Sequence, residues 1–65
     1  MAAISENIKK YRNKLGLTQS ELVRKSIVEN TTLTKIESDM VVKPNVQTVA
    51  RIANALGVPM QELAN

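Results

Sequence analysis

Apolar positions recur in steps of three and four through most of the chain. Ile4, Ile8, Tyr11 and Leu15 follow at intervals of four, three and four, and predict a first helix over 5–15. Ser5 is its candidate N-cap, and Gly16 fits a left-handed C-cap. Leu22 and Val23 point inward from a second short helix, about Gln19 to Lys25. Its start is well marked, because Thr18 and Glu21 have the spacing of a capping box. Leu33 and Ile36, three apart, form the inward stripe of a third helix, about Asn30 to Ser38. Its start is weakly written: Asn30 is taken as N-cap, and three Thr in four positions lower helix propensity. Pro44 and Asn45 announce a fourth helix with Asn45 as N-cap. Val46, Val49, Ala50, Ala53 and Leu56 make its inward stripe, Ile52 widens it, and Gly57 ends it. Pro59, suited to a first helical turn, opens a final short helix through Met60 and Leu63. The pattern predicts an all-α, compact five-helix bundle occupying 1–65 as one domain.

The polar side of the third helix is the candidate site. Asn30, Thr31, Thr34 and Lys35 face outward there, all hydrogen-bonding groups and none a carboxylate. Such a face suits base-pair edges in a DNA major groove. Only Ser26 to Val28 separate the second and third helices, too few residues for more than a sharp bend.

That spacing resembles a helix-turn-helix over about 18–37, and the wider chain resembles the lambda repressor/Cro-like (XRE) family. LGLTQSEL (15–22), TTLTKIE (31–37), KPNVQTVARIANALGV (43–58) and PMQEL (59–63) each stand where that family has a comparable segment. The resemblance implies a transcriptional regulator, a repressor, that binds double-stranded DNA sequence-specifically. It further implies base contacts from Asn30, Thr31, Thr34 and Lys35. Phosphate contacts fall to Gln19, Thr18, Thr32, Lys43 and Arg12. A structural ion pair joins Arg12 to Glu37, and a homodimer forms around Val58, Met60 and Leu63. Glu29 would accept from cytosine N4 or else repel phosphates and sharpen specificity.

The chain departs from the family at three places. Ile27 stands where the family usually has a Gly at positive φ. Either the second helix extends and remodels the turn, or the strain is tolerated because Ile27 packs into the core. Val23 replaces a small residue. Met40, Val41 and Val42 put apolar side chains in a loop that is often polar. They either form a contact patch or fold back over the end of the fourth helix.

Composition narrows the function further. The chain has no Cys and no His, which removes the commonest nucleophiles, general bases and transition-metal ligands, so no enzyme, metal, cofactor or small-molecule substrate is expected. Tyr11 is the one aromatic residue, which argues against a stacking platform for single strands. No apolar run approaches the roughly 20 residues of a membrane span, and no secretory signal is visible, so a cytoplasmic protein is expected. A membrane-lying first helix fails because Ile4, Ile8 and Leu15 are needed in the core. Net charge is +3. Residues 1–25 carry six basic and two acidic side chains, whereas 26–65 carry three and four. A basic half favours a polyanionic partner. The alternative is a protein-interaction module that keeps the fold without binding DNA, favoured by Glu29 and the apolar loop.

Overall fold

A computed structural model describes residues 3–41 and 43–64. It contains five helices: α1 (Ala3–Lys14), α2 (Gln19–Ser26), α3 (Asn30–Glu37), α4 (Val46–Leu56) and α5 (Met60–Ala64). No strand occurs among the described residues. Helix α1 packs on α3, α4 and α5, α2 packs on α3 and α4, and α4 packs on α5. The core is aliphatic. Ile8, Leu22, Leu33, Ile36, Ile52 and Leu63 are fully buried, and Ile4, Val49, Ala53 and Leu56 complete it. Each fully buried Ile or Leu contributes roughly 1.5–3 kcal/mol relative to exposure, so these ten positions dominate the stability of the fold.

The four longer helices end alike. A residue in the left-handed region follows or closely follows the last turn: Gly16 (φ 71°), Ile27 (φ 57°), Asp39 (φ 64°) and Gly57 (φ 72°). In each case the next N–H reaches back five residues. Leu17 donates to the Arg12 carbonyl, Val28 to Val23, Met40 to Lys35 and Val58 to Ala53. These bonds satisfy carbonyls that a helix end otherwise leaves without partners.

Several boundaries differ from the sequence expectation. Helix α1 starts at Ala3, so Ser5 lies inside its first turn and is buried, not an N-cap. Its hydroxyl donates to Asp39 Oδ1 at 2.6 Å and ties the start of α1 to the end of α3. Leu15 is 50% exposed because the chain turns at Gly16 and brings Leu17 back against the core instead. Val46 is 73% exposed. The buried stripe of α4 is Val49, Ile52, Ala53 and Leu56, spaced i, i+3, i+4, i+7, and Val46 sits at its edge on the first helical position. Asn45 is the N-cap of α4, its Oδ1 accepting from the Thr48 N–H at 2.8 Å. Pro59 lies just before α5. Tyr11 is half-buried, and its hydroxyl donates to Glu62 Oε2 at 3.1 Å, linking α1 to α5. That bond raises the Tyr11 pKa above its ordinary value, because ionisation would lose it beside a carboxylate. Among the described residues no helix is long and apolar enough to cross a membrane.

Candidate nucleic-acid interface

Helix α2 begins with the capping box. The Thr18 hydroxyl accepts from the Glu21 N–H at 3.1 Å, and Glu21 Oε1 accepts from the Thr18 N–H at 2.9 Å. The bond from the Thr18 N–H, then that from its hydroxyl, lowers the Glu21 pKa below the ordinary carboxylate value. At the other end of α2, Ser26 folds its hydroxyl onto the Leu22 carbonyl at 2.6 Å inside the protein. The chain then turns at Ile27, with φ 57° and ψ 44°.

Neither expectation for Ile27 holds. The turn keeps its positive φ, and the side chain does not enter the core, being 77% exposed. Hydrogen bonds hold the turn instead. The N–H groups of Ile27 and Val28 both reach the Val23 carbonyl, and Arg51 Nη1 donates to the Ile27 carbonyl at 3.3 Å. Val28 and Val23 pack at the edge of the core.

Helix α3 then starts with Glu29, not Asn30, at the N-cap, and the Glu29 side chain makes no capping bond. Asn30 is its first helical residue. Leu33 and Ile36 anchor α3 to the core, leaving Asn30, Thr31, Thr34 and Lys35 exposed on one side and Thr32 half-buried. The Thr34 hydroxyl donates to the Asn30 carbonyl at 2.8 Å.

Beneath the end of α3 lies a polar cluster. Glu37 is 2% exposed, yet it keeps an ion pair with Arg12, with Nε at 3.1 Å from Oε2 and Nη2 at 3.2 Å from Oε1. Arg12 Nη1 donates to the Leu17 carbonyl at 3.0 Å. Gln19 Nε2 donates to Glu37 Oε1 at 3.0 Å. One carboxylate at the end of α3 therefore joins α1 and the start of α2. Burying a carboxylate is costly unless it is paired and hydrogen-bonded, and here it is both.

This cluster alters the expected roles of two residues. The resemblance implies a phosphate contact for Arg12, but its side chain is only 16% exposed and three of its donors are committed within the protein. Gln19, for which the resemblance also implies a phosphate contact, is half-buried with one amide donor on Glu37. The sequence held no signal for that Gln19–Glu37 bond, since the residues lie 18 positions apart. The Ser5–Asp39 bond left one faint trace: a small polar residue within the buried turn of α1.

Lys43 and Thr18 are exposed. Met40 is 75% exposed, Val41 packs against the core, and Val42 lies outside the described residues. Leu63 cannot form a dimer surface, because it is fully buried where α5 meets α1 and α4. Val58 and Met60 are half-buried and line an open surface depression with Gln47, Ala50, Arg51 and Asn54. Among the described residues no three His, Cys, Asp or Glu side chains converge as metal ligands would.

The family model described as helix-turn-helix matches residues 8–63. The chain is 32% identical over 62 residues to the HTH-type transcriptional regulator SinR of Bacillus licheniformis, a match covering 95% of this chain and 56% of that protein. The chain thus spans about half the length of that curated relative. It is also similar to the solved N-terminal DNA binding domain of SinR from Bacillus subtilis. That likeness has a TM-score of 0.92 and 31% identity, covering 95% of this chain and 90% of the other.

Proposed function

We propose, from the premise that this chain belongs to the XRE-type helix-turn-helix family, that it is a DNA-binding transcription regulator, not an enzyme, and that it acts as one domain over 1–65. Helix α3 enters the major groove of double-stranded DNA. Asn30, Thr31, Thr34 and Lys35 meet base edges, and Thr18, Gln19, Thr32 and Lys43 meet phosphates. Phosphate contacts supply affinity and register, and α3 supplies sequence preference. The regulator represses by occupying a two-fold-related operator as a homodimer, since one such domain covers only one half-site. The observation that supports this reading best is the exposed polar side of α3, held from below by Leu33, Ile36 and the Glu37 cluster.

Titrating labelled duplex at rising salt tests it. Binding should weaken steeply between about 50 and 200 mM salt, because neutralised phosphates release counterions. A flat salt response contradicts groove binding. Exposed Met40 and the carboxylate of Glu29 beside the reading face favour a second reading, a protein-interaction module that keeps the fold. It predicts no duplex affinity and a protein partner that cross-links to α3.

A further inference from the structure

Helix α3 is bracketed by two residues that take a left-handed backbone conformation without being glycine, Ile27 before it and Asp39 after it. A side chain from another helix bonds to each. Arg51 Nη1 of α4 donates to the Ile27 carbonyl at 3.3 Å, and the Ser5 hydroxyl of α1 donates to Asp39 Oδ1 at 2.6 Å. Gly16 and Gly57 take the same conformation without steric cost and have no such bond among the described residues. Ile27 is the more strained of the two, because it is β-branched, and its 77% exposed side chain holds nothing by burial. The Ile27 and Val28 N–H groups tie the turn to α2 through the Val23 carbonyl. The Arg51 bond ties the turn to α4, on which α2 packs.

We propose that Arg51 is a positioning residue: by holding the Ile27 carbonyl it keeps the turn left-handed, and so keeps α3 at the angle from which it reads a duplex. This rests on the reading of α3 as the groove helix. Without the guanidinium, Ile27 relaxes toward the backbone regions that a β-branched residue prefers, and α3, which starts three residues later, moves with it. Binding then falls in proportion to the fraction of molecules whose turn is still in place. A glycine at position 27 has no such strain to relieve, so it makes the clamp unnecessary.

The experiment places Arg51→Ala in the wild-type chain and in Ile27→Gly, each protein being measured well below its melting transition. Affinity is measured on a duplex that the wild-type chain recovers from a randomised pool. Hydrogen exchange of the residue 27 and Val28 amides is followed without DNA. In the wild-type chain Arg51→Ala should speed that exchange and weaken duplex binding, each about fivefold, the net worth of one hydrogen bond. In the Ile27→Gly chain it should change either by less than about twofold, which is the coupling expected of two groups in contact.

An arginine that only gripped a phosphate would lose the same affinity in both chains and lower the salt slope by about 1. That result overturns the proposal. So does a lowered melting temperature with unchanged duplex affinity, which is the mark of a purely structural bond. Normal duplex binding with amides indifferent to Arg51→Ala overturns this inference alone. A wild-type chain that binds no duplex overturns the proposed function, and the positioning role with it, whatever the amides do.

Discussion

Ile27 carries a β-branched side chain in a left-handed backbone conformation and recovers almost nothing by burial, being 77% exposed. That conformation costs an L-residue roughly 1–2 kcal/mol, and Gly occupies it without steric cost. Gly16 and Gly57 sit at the same place at the ends of α1 and α4. Ile27→Gly is therefore expected to stabilise the protein by about 1 kcal/mol, which in a domain of this size raises the melting temperature by roughly 4–8 °C. A lower melting temperature would show that Ile27 contributes packing that its exposure does not suggest. Glu21 gives a prediction in pH. Its folded pKa is depressed by the capping bonds to Thr18, so its contribution is fully present above the pKa of the unfolded chain. It is lost as pH falls through the folded value. Acid titrations of the wild type and Glu21→Gln, followed by circular dichroism, should converge as pH falls through the carboxylate range. Curves that stay parallel there would mean that the cap adds nothing.

At the scale of the element, α3 is a helix that its own sequence barely supports. It has eight residues, whereas isolated helices below roughly 12–15 residues are marginal in water. Three of those residues are Thr, and its N-cap Glu29 makes no side-chain cap. Leu33 and Ile36 must hold it by packing. Glu29→Ser should add the missing cap and raise stability by about 1 kcal/mol in a urea melt, and an unchanged midpoint would contradict that. Within this helix the sequence showed which side faces out, because Leu33 and Ile36 set the phase. It did not show the N-cap, since Asn30 has the chemistry of a cap and Glu29 has the position. In α4 the phase was nearly right. Val46 is apolar at the spacing expected of an inward residue, yet a first helical position at the edge of the stripe is left in solvent. Leu15 failed similarly: periodicity carried it past Lys14, where the helix ends.

For the whole molecule, the order of five helices and most of the core were legible, because every core residue lies on a 3.6-residue face or in the short run before the C-terminus. Long-range polar links were not. Nothing local tells Gln19 that it will meet Glu37, or Ser5 that it will meet Asp39. Those links change the account of the interface. Arg12 fastens α3 from within instead of reaching outward, and Gln19 belongs partly to the same cluster. Leu63 belongs to the core, so the proposed pairing of two copies falls to the half-buried Val58 and Met60 and their open surroundings.

The central claim is that the outward side chains of α3 read bases while the start of α2 grips the backbone. Duplex selection with Lys35→Ala beside Gln19→Ala tests it most directly. Lys35→Ala should relax preference at one base pair at a cost of about 1–3 kcal/mol, and Gln19→Ala should weaken all duplexes alike. The claim is contradicted if Lys35→Ala, still folded by its melting curve, recovers the same sequences as the wild-type chain with undiminished preference at every position.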